Sequence, residues 1–248
     1  MLKVFKNEMI KMISGKKLYI FSVILIASII IMALLCKSIP SVKIGPQNFV
    51  AQMIMNGMIM EPLIPIFMIL VAAEIITEDY SSGTMKFTLM TPIRKIDVFA
   101  GKLLFMGVYI VILMAICFVS SYIVQIFFCG LGGSSIFFKT FIYNLKCFVV
   151  VIPPLIAFSA IVGFISLFIT SSGAVIGIGI GVYIIAKFLN MGIKNFIYFS
   201  PVGGFYASSF IGKTGTYGIW TFMLSSLVYI IVFAILIAAV VKKKDFVL

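Results

Sequence analysis

The sequence predicts an all-α membrane protein with six transmembrane helices in a single domain, residues 1–248. Of its 248 residues, 63% are hydrophobic and only 10% are charged, a balance typical of chains that lipid rather than water surrounds. Long apolar runs recur along the chain, and most basic residues stand at their ends, where membrane anchors are found. The net charge of +12 therefore does not indicate a nucleic-acid partner.

The first element is predicted to be an amphipathic helix over residues 2–13 that lies in the membrane surface. Apolar Leu18 to Leu35 follows, about 27 Å long as a helix, and forms the first span. A cleaved signal peptide or lipoprotein leader is the alternative. The run is long and lacks an A-x-A site, however, and the large Leu35 precedes Cys36 where a leader needs a small residue.

Five further spans are predicted over residues 49–73, 103–128, 142–170, 174–189 and 219–241. The segment 190–218 is rich in aromatic residues and glycine and too apolar for a free loop, so we expect a re-entrant hairpin in the outer side of the membrane. Six crossings place both termini on one side. That side is predicted to be cytoplasmic because twelve of the nineteen Lys and Arg residues then lie on it.

The reactive residue types exclude several functions. With no histidine and no CxxC spacing, the chain offers neither a typical zinc site nor a histidine-dependent triad. The cysteines Cys36, Cys117, Cys129 and Cys147 are predicted to be ordinary thiols, although a disulfide between the first and third stays open. Gly212-Lys213-Thr214 lacks the earlier glycine of a phosphate-binding loop. We therefore expect no enzyme activity and no cofactor in this chain.

Glu61 is the candidate for a substrate path because it lies near the middle of the second span. An ionised carboxylate there costs about 2.5 to 3.5 kcal/mol on insertion scales and usually faces the interior of a bundle. Contact with a substrate and proton binding are the functional interpretations, and a carboxyl group that only fixes packing is the structural one. A proton-coupled secondary transporter or channel that uses Glu61 is accordingly the alternative function.

Gly173, Gly177 and Gly181 recur every four residues in the fifth span, so they give that helix a flat face. Such a face lets another helix approach closely. The partner is either a helix of the same chain or a second subunit, and the sequence leaves both open.

The stretch from Glu74 to Lys102 is dense in charge and lies between the second and third spans. Within it, Thr84 to Thr91 can form two helical turns that Pro92 ends. Exposed apolar residues beside charge indicate a docking site, and a helix that rests on lipid headgroups is the alternative.

The same stretch carries a longer pattern, E-x-x-x-E-D-x-x-x-G-T-M-K-x-x-L-x-x-P-I-x-K followed by Gly101-Lys102. It resembles the loop of the type-2 ATP-binding-cassette exporter permease family. The resemblance extends over the whole chain, from the basic amphipathic N-terminus to the lysine-rich tail. It implies a small bacterial permease in the plasma membrane that pairs with a second permease copy or a relative.

The resemblance also implies two separate ATPase subunits, which bind ATP and Mg, and a coupling helix that touches them. The residues that would form this contact are Glu78, Asp79, Gly83, Thr84, Met85, Lys86, Leu89, Pro92 and Arg94. Substrates implied by the family are peptide antibiotics, lantibiotics or lipid-linked molecules, which would connect the protein with antibiotic resistance.

Overall fold

A computed structural model describes residues 1–38, 49–50, 62–78, 94–130, 134–211 and 218–243. Seven α-helices occur in this part of the chain: α1 (Leu2–Ser14), α2 (Lys17–Ser38), α3 (Ile64–Ala73), α4 (Lys95–Cys129), α5 (Ser134–Ser166), α6 (Ser172–Gly192) and α7 (Ile219–Lys243). A π-helical turn, Glu74–Glu78, continues α3, and two 3-10 helices, Phe196–Tyr198 and Gly203–Phe210, lie between α6 and α7.

Five of these helices are long and apolar enough to cross a membrane, and they confirm five of the predicted spans: Lys17–Leu35, Lys95–Phe128, Phe137–Ser166, Ser172–Gly192 and Ile219–Lys243. The predicted second span is represented by α3 alone, because most of its first half, with Glu61, lies outside the described residues. The sixth crossing therefore stays a prediction. Gly212-Lys213-Thr214 and the side chains of Cys36 and Cys129 also lie outside the description, whereas Cys117 and Cys147 are buried thiols as predicted.

The predicted boundaries of two spans differ from the observed ones. Helix α4 begins at Lys95 instead of residue 103, and α5 runs from Ser134 to Ser166 instead of over 142–170. At 35 residues and about 1.5 Å per residue, α4 is about 52 Å long and exceeds the hydrocarbon core of a bilayer. It begins early because its first, polar turns pack against α1 and not against lipid.

Helix α5 is the central helix of the bundle, and it contacts α3, α4, α6 and α7. All-round apolarity does not explain this position, because the peripheral helices α2, α6 and α7 are equally apolar; the contacts with four other helices place α5 at the centre. Helices α2, α6 and α7 are each mostly uncovered, as membrane helices at a periphery are. The described core therefore surrounds α5 and the adjoining faces of α3 and α4.

Both termini of the described chain lie at one end of the bundle, here called the base. Helix α1 packs on the first turns of α4. The last turns of α7 reach the same place, because Ile237 and Val241 share an apolar cluster with Ile76 and Phe99. Helix α6 also starts there and, being 21 residues or about 31 Å long, ends at the opposite, far end.

The segment after α6 packs along α5 and α7. The second 3-10 helix contacts α5 and α7 and buries most of its residues. A Cβ atom at Gly204 would lie 2.5 Å from Pro154 Cγ, so the backbone approaches α5 too closely for any other residue. The expectation that this segment is not a free loop agrees with this packing, while its entry into the bilayer stays a prediction.

Helix α1 buries part of the face that its apolar pattern predicts. Of the apolar residues that the pattern groups on one side, Met12 is buried and Phe5 and Met9 pack against the core, whereas Leu2 and Ile13 are 72% and 51% exposed. Glu8 is buried as well, because it makes a charged contact with α4 that is described below. Because several of its apolar residues are exposed, α1 can also contact the membrane surface, and that contact stays a prediction.

The glycines of α6 divide into two groups. A Cβ atom at Gly179 would lie 2.7 Å from Ile69 Cγ2, so α3 and α6 meet closely there. Gly177 and Gly181 face open space, and Gly173 has only Ser171 Oγ near its Cβ position, at 3.9 Å. The tight contact within the chain therefore uses Gly179, and the face predicted from the other three glycines is not covered by the described chain.

We expect Gly179→Ala to lower the free energy of unfolding by about 1–3 kcal/mol, because the added methyl group overpacks the contact with Ile69. Gly177→Ala, in the same helix but facing open space, is the matched control and should leave stability unchanged or slightly higher. Thermal unfolding of the purified protein in detergent, under monomeric conditions, measures both. Equal destabilisation by the two substitutions would contradict the observed packing.

Candidate functional site

The coupling segment predicted from the sequence is bracketed by two described residues. Glu78 ends the π-helical turn, and Arg94 precedes α4 in an extended conformation with an exposed side chain. The Arg94 carbonyl accepts the backbone N–H groups of Asp97 and Val98 at 2.9 and 3.3 Å, which starts the helix. The other candidates lie outside the described residues: Asp79, Gly83, Thr84, Met85, Lys86, Leu89 and Pro92.

Lys102 connects the two ends of that segment. Its side chain is 1% exposed, and its Nζ donates a hydrogen bond to the carbonyl oxygen of Ile75, inside the π-helical turn. The same Nζ lies 3.9 Å from Glu8 Oε1, whose side chain is 8% exposed. A buried ammonium group is tolerated only when such partners offset its lost hydration, so these contacts are a condition of the fold at this point.

The π-helical turn Glu74–Glu78 has the wider i→i+5 hydrogen-bond spacing that is rare in proteins and frequent at functional sites. It stands immediately before the predicted coupling segment. Lys102, in the first turns of α4, binds the carbonyl oxygen of Ile75. The parts of the chain just before and just after the predicted coupling segment are therefore held together. Any displacement of the segment therefore reaches α3 and α4 jointly.

Two further charged contacts bring α1 and α2 to the same place. Lys17, in the first turn of α2, forms an ion pair with Glu74, and both side chains are partly exposed. Lys11 Nζ lies 3.6 Å from Glu8 Oε1 on α1. Exposed pairs contribute little to stability, so these orient the helices, while the buried Glu8–Lys102 contact decides the energetics. We call Glu8, Lys17, Glu74 and Lys102 the charged base.

A cavity of about 120 Å³ lies within the charged base, between α1, α2, the π-helical turn and α4. Its lining includes the charged side chains of Glu8, Lys11, Lys17 and Glu74, together with Tyr109. A cavity of this volume with a polar lining is large enough for water molecules.

Gly101 permits the close approach of α1. A Cβ atom at this position would lie 2.9 Å from the Met1 carbonyl oxygen and 3.1 Å from Val4 Cβ. The Gly-Lys pair that closes the sequence pattern thus has two separate physical roles. Gly101 lets the backbone of α1 approach α4 closely, and Lys102 makes the charged contact with the Glu8 carboxylate of α1.

A family model described as ABC-2 family transporter protein matches residues 4–187. The chain belongs to the ABC-2 transporter family. It is a multi-pass membrane permease, and the family implies association with ABC ATPase subunits. The matched residues include the whole charged base, and a search of curated proteins found no match.

Sequence reasoning missed the role of Glu8, and it included Lys102 as a topology charge and as part of the family pattern without predicting its buried contacts. One signal was available for Glu8: it stands midway between Val4 and Met12 at helical spacing, in an otherwise basic helix. Residue spacing alone could not predict which helix the Glu8 carboxylate contacts.

Glu8→Leu should lower the free energy of unfolding by about 3 kcal/mol, because it leaves the Lys102 ammonium buried without its carboxylate. Replacing both partners, Glu8→Leu with Lys102→Met, should recover most of that loss, since an apolar pair removes the buried charge. Chemical denaturation of each purified variant, monitored through its loss of helical structure, gives the free energies of unfolding to be compared.

Lys6→Gln removes an exposed charge from the same helix and serves as the control, with an expected change within about 0.5 kcal/mol. A double variant that is no more stable than Glu8→Leu alone would refute the charge contact as the cause.

Proposed function

We propose that this permease exports a peptide antibiotic, a lantibiotic or a lipid-linked compound across the plasma membrane of a bacterium, driven by separate ATPase subunits that bind ATP and Mg. The observation that carries the coupling part of the proposal is the Lys102–Ile75 contact. It closes the root of segment 79–93, the segment that the family resemblance assigns to the ATPase. The substrate classes are supported by that resemblance.

The proposed mechanism transmits a push from the ATPase into the membrane. Segment 79–93 contains the coupling helix that the sequence predicts over Thr84 to Thr91, and ATP-driven closure of the ATPase pair would move it. Its two ends continue into α3 and α4, which the charged base joins to α1 and α2. Because α4 is long enough to extend beyond the hydrocarbon core, a shift at its root becomes a tilt of the helix through the whole bilayer. Nucleotide thereby selects between two arrangements of the bundle.

The base is assigned to the cytoplasm by the positive-inside rule, and both termini go with it. Among the described residues, every acidic residue lies at the base: Glu8, Glu74, Glu78 and Asp97. The described residues of the far end and of the helix turns leading to it include Lys37, Lys139, Lys187 and Lys194 as their charged groups. Because the base is assigned to the cytoplasm by the larger number of Lys and Arg residues predicted on that side, we propose that the far end is the outer face.

The transport path is proposed to lie between two copies of the permease or between this chain and a relative. Support comes from α6, whose Gly177 and Gly181 face open space in the single chain. Small residues at this spacing let a second helix approach closely in a membrane, where packing rather than water drives association. The face is therefore available to a second subunit.

Leu89→Asp or Met85→Asp should abolish the coupling between ATP hydrolysis and transport, with membrane insertion intact, because a carboxylate replaces an apolar contact with the ATPase. The measurement is substrate transport and ATP hydrolysis by the complex of permease and co-purified ATPase in liposomes. We expect transport to fall at least ten-fold, the equivalent of about 1.4 kcal/mol.

Ile96→Asp is the control for the coupling variants, since it puts the same charge on an exposed apolar residue just past the segment. It should retain transport. Normal transport by Leu89→Asp would exclude the coupling role. Transport by the permease without any ATPase would instead indicate a secondary transporter.

Gly181→Leu should reduce the dimer fraction of the purified permease without lowering the stability of the monomer, because its Cβ position faces open space within one chain. Cross-linking in native membranes and mass photometry in detergent measure the oligomeric state. Ile235→Leu, at an exposed position of α7 and not of α6, is the control and should leave the dimer fraction unchanged. An unchanged dimer fraction in Gly181→Leu would place the subunit contact elsewhere.

A further inference from the structure

A second cavity lies at the base, in a cleft between α2 and α6 that we call the lateral cleft. It has a volume of about 300 Å³, close to the lower limit for ligand sites. Its lining residues come from three helices and include Ile20 of α2, Leu70 and Ala73 of α3, and Ser172 of α6. Because Ile20 is 54% exposed, the cleft reaches the uncovered surface of the chain.

One ion pair borders both the lateral cleft and the polar cavity of the charged base. Lys17 and Glu74 line both spaces, whereas α3 contributes different residues to each: Val71 lines the polar cavity, and Leu70 and Ala73 line the cleft. At about 3.6 residues per turn, Glu74 lies between these two sides of the helix. The two spaces therefore lie on different sides of α3, and the Lys17–Glu74 pair stands between them.

This pair is weaker than the buried charged contact beside it. The side chains of Lys17 and Glu74 are 44% and 37% exposed, whereas those of Lys102 and Glu8 are 1% and 8% exposed. Water can hydrate a partly exposed charge after its partner leaves, but it cannot reach a buried one, so parting the first pair costs far less free energy. We therefore expect the base to open first between Lys17 and Glu74.

Helix α2 can yield at this point without leaving the bundle. It packs mainly on α4, and its contact with α3 includes the stacked rings of Phe21 and Phe67, whose centroids are 4.5 Å apart. Phe21 lies one turn after Lys17 on α2, so this stack can stay in place while the first turn of the helix moves. A small tilt at the base end of α2 is enough to separate the two charges.

We propose that the Lys17–Glu74 pair is a latch that separates the polar cavity from the lateral cleft. The latch is closed in this structure, and the charged lining of the polar cavity is shut off from the cleft. When the latch opens, the two spaces join into one passage that leads from the uncovered surface between α2 and α6 to the charged base. The latch is a property of this chain alone, while its placement on the cytoplasmic side rests on the proposed function.

A thiol introduced by Val71→Cys reports on access to the polar cavity, because Val71 lines that cavity and is only 7% exposed. Full-length permease with this substitution is placed in nanodiscs and treated with N-ethylmaleimide. Mass spectrometry of its peptides then gives the labelling rate of each cysteine. Cys117 and Cys147 are buried thiols that line neither space, so they are internal controls for a general loosening of the bundle.

Glu74→Gln and Lys17→Gln should each raise the labelling rate at position 71 by about two- to five-fold, the range expected for the loss of a partly exposed ion pair. The double substitution should label no faster than the faster single one, because both remove the same contact. Lys16→Gln is the matched control, since it removes the neighbouring exposed charge, which lines neither space. It should leave the labelling rate unchanged.

The route into the cavity is tested by Ser172→Trp, which places a large ring in the lateral cleft and should cancel the rise caused by Glu74→Gln. Equal labelling rates in Glu74→Gln and Lys16→Gln would overturn the latch, and so would a parallel rise at Cys117 and Cys147. A rise that Ser172→Trp leaves intact would overturn the passage through the cleft. No ATPase takes part, so a failure here leaves ATP coupling intact, and a failure of ATP coupling leaves the latch intact.

Discussion

The fold at the base depends on one buried charge. Lys102 lies on a membrane helix, almost completely shielded from solvent, and no single neighbour neutralises it: a carboxylate from α1 and a backbone carbonyl from the π-helical turn share the task. Three elements distant in sequence are thereby forced into one place, because none of them can leave without exposing or orphaning a charged group. The rest of the base, including the Lys17–Glu74 pair and the polar cavity, is arranged around this constraint.

The buried contact also determines which elements can move together. Separating α1, the π-helical turn or α4 would leave a buried charge without its partner, so these three elements are expected to shift as one unit. The Lys17–Glu74 pair is partly exposed and contributes less, so α2 can move against that unit at a lower cost. The unit lies at the root of the segment that is proposed to contact the ATPase.

Much of the fold followed from the sequence, because lipid imposes strict rules on composition and length. The ends of α2, α6 and α7 were predicted to within three residues, whereas α4 and α5 each begin eight residues before the predicted start. The error in α4 arose where protein contacts replace lipid contacts, because α1 covers its first turns. The burial of Glu8 in α1 was not predicted because its partner lies on another helix. Pairings between distant residues, such as Gly179 with Ile69, are invisible to periodicity. Gly173, Gly177 and Gly181, which the sequence analysis singled out, face outward. Their spacing could be recognised in the sequence, but the helix that packs against them could not.

The contact between Gly101 and the first residues of α1 has a consequence for biogenesis. The N-terminal helix leaves the ribosome first, yet its seat on α4 is synthesised only after α2 and α3 have been made. Until then the Glu8 carboxylate lacks the Lys102 ammonium, and Gly101 is not yet there to admit the backbone of α1. The order of synthesis therefore makes the docking of α1 depend on a helix that is made after two intervening helices.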